Sequence, residues 1–405
     1  MQQLFKNIKG DKAIWAVVCL LALFSFLPIY SASTNLVYVV GNGTTIGHLI
    51  KHAALLFIGL FIIYGVHKIP YRYFRALSII AMPVVILLLL ITLAQGTTIG
   101  GANASRWIRI PFVGISFQTS TLAALVLLIH VARYLTKIKD KKVAFKETLL
   151  PLWLPVFVVL SLILPANFST TAIIFGMVML LCFIGGYPLK YLMSIIGAGV
   201  VCLALFVLTA KAFPGLFPNR VDTWISRVES FMDDADTESD YQIEKAKIAI
   251  ATGGVVGLGA GKSVMKNFLP QSTSDFIYAI IVEEYGLVGA LTLVFLYLLL
   301  LFRIVVVAHK AEDVFGKLLV LAVGLPIIFQ AFINMAVAVE LFPVTGQTLP
   351  LISSGGTSIW MTCLAIGVIL SVSAKREEEV VEASAKATQK NKVEENPLEV
   401  LSEQL

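Results

Sequence analysis

Leu269–Gly286, LPQSTSDFIYAIIVEEYG, ends a polar stretch at Pro270, places Asp275 next and then starts a long apolar run that carries Glu283 and Glu284. A carboxylate at the mouth of a membrane helix, with two more about two turns deeper, is costly unless something uses it. On these residues alone Asp275 has two readings. It can be the N-cap of the span that follows, since Ser274-Asp275 opens the helix, or it can be a base held at one face of a bilayer. Glu283, eight residues on and roughly 12 Å deeper at 1.5 Å per residue, reads as the partner of an arginine or as one half of a buried structural pair.

The rest of the chain frames this stretch. Of 405 residues, 58% are hydrophobic and 14% charged, with a mean hydropathy of +0.87; a soluble domain is nearer 25% charged. The fold class expected is all-α, a polytopic membrane protein with about ten transmembrane helices and one large extracytoplasmic loop. The spans fall near 13–33, 49–67, 75–95, 117–135, 149–166, 170–187, 191–212, 276–302, 317–338 and 357–374. Residues 1–12 are polar and basic, and the first apolar run has no small-residue cleavage site, so it reads as a retained span. With the N-terminus inside, the short inner segments carry sixteen Lys and Arg and the outer ones only Lys51, Arg106 and Arg109. That asymmetry predicts both termini in the cytoplasm. The net charge of +6 therefore signals topology and not nucleic acid. Residues 375–405 are charged and poor in apolar residues, as in a disordered cytoplasmic tail. Cys19, Cys182, Cys202 and Cys363 all lie in apolar runs and read as core packing; the five histidines show no zinc spacing.

The outer loop 213–275 is too long to be a bare connector. Val221, Trp224, Ile225, Val228, Phe231 and Met232 predict an amphipathic helix on the membrane surface. A second short helix is expected from about Tyr241 to Gly253 and Gly254. GLGAGKS then invites a phosphate-loop reading, but Val256 stands where that pattern needs glycine and no strand precedes it. Its glycines still permit close approach of a ligand, with Lys262 and Lys266 near. Upstream, NASRWIRIP sets Arg106 beside Trp107, an interfacial anchor or a grip on an anionic head group. Pro343–Ser358, PVTGQTLPLISSGGTS, cannot continue a helix. At membrane depth such backbone survives only when buried in protein or lining a cavity, so it predicts a wall of a polar groove.

Taken together, ASRWI (Ala104–Ile108), Asp240–Gly286, PVTGQTLPLISSGGTS and the ten-span topology resemble the SEDS family of FtsW/RodA-type peptidoglycan polymerases, over roughly residues 10–375. The last signature is more similar to the division type than to the elongation type. The resemblance implies a peptidoglycan glycosyltransferase in the bacterial cytoplasmic membrane, placed at the septum, that polymerises lipid II outside and releases undecaprenyl pyrophosphate. It also implies a class B penicillin-binding protein and other division proteins as partners, besides membrane lipids. Asp275 falls on the family's essential carboxylate. Arg106, Trp107, Arg227, Lys266, Glu283, Glu284, Gly346, Pro350 and Ser353 fall on its matching positions and are expected to bind substrate. The chain departs from the pattern at Thr121 and Ala124, where the family has Glu and Lys, at Asn167 for Asp, and at Ser354 for Tyr.

The chemistry so implied is inverting glycosyl transfer. A sugar hydroxyl attacks an anomeric carbon and needs a base, because its own pKa is far above 7. The leaving pyrophosphate needs positive charge, from Arg106, Arg227, Lys266 or a divalent cation such as Mg or Mn. No cofactor is firmly implied, and no protein metal ligands are identified. The rival classes are a lipid II transporter, which would need polar groups along a path through several spans, and a non-catalytic scaffold for wall enzymes.

Overall fold

The structure is a computed structural model, and it describes residues 9–38, 41, 43–95, 107–109, 116–212, 238–269 and 271–375. Its helices are α1 (Lys12–Tyr38), α2 (Thr45–Val66), α3 (Arg72–Gln95), α4 (Thr119–Ile138), α5 (Phe145–Ile163), α6 (Phe168–Ile184), α7 (Leu189–Ala212), α8 (Glu238–Gly253), α9 (Ile277–Lys310), α10 (Val314–Ala338) and α11 (Thr357–Lys375). Eight of them are long and apolar enough to cross a membrane, and α6 and the apolar part of α7 fall on the other two expected spans. Uninterrupted apolar composition explains this uniformity: away from water each backbone amide must find its partner within the segment, which a helix provides. Short polar residues start the helices. Thr44, Asn167 and Asp313 accept backbone N–H groups at the heads of α2, α6 and α10. A π-helical turn, Leu149–Trp153, brackets Pro151 early in α5.

Two apolar clusters meet at α10. One joins α1, α2, α9, α10 and α11. The other joins α3, α4, α5 and α6 and takes in Leu318 and Ala322 of α10. A third, smaller cluster holds α8 against Phe276, Ile280, Val337 and Val344. Cys182 and Cys363 are buried as expected, but Cys19 and Cys202 face out of the bundle. An apolar run that crosses a membrane need not turn every side chain inward, so hydropathy alone could not separate them.

Two contacts set a scale along the bundle. Arg303 of α9 pairs with Asp11 at the head of α1, and Ser31 of α1 donates to Glu284 of α9. The intervening lengths, twenty residues of α1 and nineteen of α9, each come to about 30 Å. That is the thickness of a bilayer's hydrocarbon core. A short antiparallel hairpin, β1 (Trp107–Arg109) with β2 (Ser116–Gln118), leads into α4. It is pinned to the head of α11, where Thr357 Oγ1 donates to Ser116 O and accepts from Gln118 N, both at 3.3 Å. The helix expected at 221–232, Arg106, Arg227 and the tail 376–405 lie outside the described residues.

Candidate active site

Asp275 stands on a tight turn immediately before α9. Gln271 takes a left-handed φ of 60°, and its carbonyl accepts from the amides of Ser274 and Asp275 at 3.0 and 3.2 Å. Phe276 and Ile277, both fully buried, lock the next residues into the core. The N-cap position of α9 belongs to Phe276, and no side chain caps the helix there. Asp275 lies one residue before that position.

The Pro343–Ser358 segment wraps this turn. Asn334, 1% exposed near the C-terminal end of α10, donates from Nδ2 to Asp275 O and to Gln347 O, each at 2.7 Å. Ser353 Oγ donates to Ser274 O at 2.6 Å and accepts from Leu349 N at 2.7 Å. Ser354 N donates to Thr273 O at 2.9 Å. Gly346, at φ +66°, lies so close that an added Cβ would sit 3.5 Å from Asp275 Oδ2. Pro350 O accepts from the buried Tyr297 hydroxyl at 2.6 Å. Leu351 has φ 63°, so each of the two interlocked loops holds a non-glycine residue in the left-handed region. Such conformations persist only where surrounding contacts enforce them. The outcome is a half-buried carboxylate on a rigid mount.

Below the mount a cavity of about 110 Å³ opens between α4, α6, α10 and α11. Gln330 and Gln347 stand among its polar lining, while Met177, Pro326 and Met361 are part of its apolar wall. Gln347 Nε2 also donates to Thr170 Oγ1 at 3.0 Å. Thr121 and Ala124 face this same space. Asn167 caps α6 one turn before Thr170, accepting from Thr170 N at 3.2 Å.

Glu283, Glu284 and Lys266 form a second, separate cluster. Both glutamates are 1% exposed and Lys266 is 9% exposed. Glu283 accepts from Ser263 Oγ and from the amides of Val264 and Met265 at 2.9 and 3.2 Å. Glu284 accepts from Ser31 Oγ and from Ser263 N. Lys266 Nζ donates to Gly261 O at 2.8 Å and to Ser31 Oγ at 3.1 Å. Through these bonds Glu283 holds a 3-10 turn, Met265–Asn267, against α9.

The glycines of GGVVGLGAGKS have a related task. α9 breaks at Gly286, whose φ of 64° and ψ of −162° suit glycine alone. The loop crosses this break main chain to main chain. Leu258 N and Gly259 N donate to Glu283 O and Glu284 O, both at 2.9 Å, and Leu287 N donates to Gly254 O at 3.0 Å. A Cβ on Gly257 would lie 2.2 Å from Glu284 O, and one on Gly286 would lie 2.4 Å from Val255 O. The close approach expected of a ligand is made by the protein's own helix.

Trp107 is half-buried in the hairpin. Asp275, Gly346, Pro350 and Ser353 are brought together, as are Lys266, Glu283 and Glu284. Sequence reasoning missed Asn334, Ser31 and Ser263. A lone amide within AFINMAV of an apolar span was the available signal for the first. Among the described residues no group of three or more His, Cys, Asp or Glu side chains converges as metal ligands would.

Residues 11–378 match the family of cell cycle proteins typified by FtsW, RodA and SpoVE. The "Probable peptidoglycan glycosyltransferase FtsW" of Nitrosomonas europaea is 33% identical over 374 residues, 89% of this chain and 92% of its own. That of Mycobacterium tuberculosis is 34% identical, over 91% of this chain and 68% of its own. Among solved structures, a chain from a peptidoglycan synthase complex that coordinates polymerization and crosslinking superposes with a TM-score of 0.70 at 25% identity, covering 91% of this chain and 98% of that one. The Rod shape determining protein RodA of Thermus thermophilus shares the fold, with a TM-score of 0.64 at 23% identity over 91% of this chain and 97% of that one.

Proposed function

Because the chain belongs to the FtsW/RodA/SpoVE family of cell cycle proteins, we propose that it is a peptidoglycan glycosyltransferase that polymerises lipid II on the outer face of the cytoplasmic membrane for septal wall synthesis. It is a multi-pass membrane protein, read with both termini in the cytoplasm. The observation that carries the chemical reading is the mounting of Asp275: a half-buried carboxylate held by Asn334, Ser353 and Gly346 at the mouth of a membrane bundle, with a cavity below.

In the proposed step the acceptor sugar's 4-hydroxyl oxygen bonds to the donor's anomeric carbon. The carbon–oxygen bond to pyrophosphate breaks, and undecaprenyl pyrophosphate leaves with both electrons. The proton of the attacking hydroxyl passes to Asp275 Oδ. Positive charge must meet the leaving group in the transition state, a role assigned to Arg106 and Arg227, with Lys266 adding a fixed charge. Trp107 and the loop of Gly346, Pro350 and Ser353 are assigned to shaping the substrate groove. Glu283 and Glu284 act one step back, through the loop they anchor. A class B penicillin-binding protein is the proposed partner. The solved relative that works within a synthase complex supports that pairing.

The test is direct. Purified full-length protein, with and without a crosslinking partner, is given lipid II and the products are separated on a gel. A ladder of glycan polymer is expected. Lipid II left unpolymerised under both conditions would remove the enzymatic reading in favour of a transporter or a scaffold.

A further inference from the structure

Beyond the proposed chemistry, the outer loop exposes large apolar side chains. Val255, Val256, Leu258, Val264 and Phe268 are between 41% and 77% exposed. They belong to a segment whose main chain is fixed, so the exposure is built in. The bonds from Leu287 N to Gly254 O and from Val288 N to Val255 O set its height against α9. That height is the outer end of the interval bracketed by Asp11–Arg303 and Ser31–Glu284. Directly below, Leu287, Val288, Leu291, Phe295, Leu298 and Phe302, all 47% exposed or more, run down one face of α9 at helical spacing. Val255 and Val256 continue that stripe past the helix break.

From this geometry we propose that Gly254–Phe268 is an interfacial insertion. Its apolar tip, Val255, Val256 and Leu258, is covered by acyl chains of the outer leaflet, and the exposed Lys262 stands at head-group level. The occupant is lipid because the tip continues the exposed apolar stripe of α9. Val256 is 77% exposed, which suits a fluid, whereas a partner helix seats its anchors in pockets. The inference is independent of the role given to Asp275.

The test uses the full chain in lipid nanodiscs, with Cys19 and Cys202 replaced by Ala so that only the introduced thiol reacts. A nitroxide is placed at Val256→Cys, with Leu291→Cys as the reference in lipid and Glu244→Cys, on the exposed side of α8, as the reference in water. Collision with oxygen is compared with collision with a water-soluble nickel chelate. The oxygen-to-nickel ratio at 256 should match that at 291 and exceed that at 244 severalfold. A ratio like that at 244 would place the loop in water and overturn the proposal. Low collision rates with both agents would mean a protein cover, and would overturn it equally. Val255→Cys serves as a second reporter should labelling at 256 disturb insertion.

Discussion

The main chain around Asp275 is held by Asn334 and Ser353, and that separates the ways it can be tested. Asp275→Asn keeps the side chain's size and, since Asn caps a helix about as well as Asp, preserves any capping contact while removing the ability to take a proton. The variant should insert and melt as the parent does. It should lose ~10²-fold or more in polymerisation, the lower end of what acid–base catalysis contributes. Normal glycan synthesis by folded Asp275→Asn protein would end the assignment. Asn334 makes a complementary case. Asn334→Leu keeps the branched outline, with some added volume, but drops both 2.7 Å bonds, leaving the carbonyls of Asp275 and Gln347 without that donor. Each buried carbonyl so stranded costs about 1–3 kcal/mol, so a lowered melting temperature is expected. The proposed base would also drift, and a displacement near 1 Å can cost ~10²-fold in turnover. A loss of kcat with little change in KM is the signature of positioning; an unchanged kcat in a destabilised variant would leave Asn334 a purely structural clamp. Asp275 was legible in the sequence as a carboxylate at the start of a span. Besides the local turn at Gln271, the partners that hold it come from residues 59 and more positions away, which no local pattern reports.

The elements themselves were largely legible, and where they were not the reason is non-local. Hydropathy locates the spans because each helix must satisfy its own backbone, and α8 ends at Gly253 where GG interrupts it. The break in α9 was hidden, because EEYG followed by an apolar run reads as continuous helix. Its cause is a second backbone, that of Gly254–Gly259, lying against it. Gly286→Ala should therefore be severe: it forces a side chain into a glycine-only conformation, worth ~1–3 kcal/mol, and against Val255 O besides. Gly176→Ala, in α6 with nothing within 4 Å of the new Cβ, should be silent. Equal melting curves for the two variants would contradict this account of the loop. The departure at Thr121 and Ala124 also becomes clearer at this scale. Both residues line one cavity, one helical turn apart, where i, i+3 neighbours meet. Thr121→Glu alone puts an unpaired carboxylate in that apolar space and should destabilise the protein. Adding Ala124→Lys should recover part of the loss. If single and double variants melt alike, the two positions are uncoupled.

For the whole molecule the decisive quantity is the direction of the bundle, since the proposed chemistry works only with Asp275 outside. One feature bears on it, and a second gives the scale. The Lys and Arg count favours the loops after α2, α4 and α9 as inner. The Asp11–Arg303 and Ser31–Glu284 contacts then assign an inner end to one pair and an outer end to the other, about 30 Å apart. Direction itself cannot come from packing, because an inverted bundle keeps every contact; only the charges break that symmetry. The prediction is therefore a topological one. A reporter active only outside, such as a phosphatase, should be active when fused after Asp236 and silent after Lys141. A reporter that fluoresces only in the cytoplasm should do the reverse. Charge variants sharpen the test. Lys137, Lys139, Lys141, Lys142 and Lys146 crowd the loop between α4 and α5 and the helix ends beside it, and neutralising them all should weaken the fusion pattern without moving any helix. Activity of the phosphatase after Lys141 in the parent chain would turn the bundle over. Asp275 and its mount would then face the compartment that holds no exported lipid-linked sugar acceptor, and the proposed polymerisation would have no site to occur.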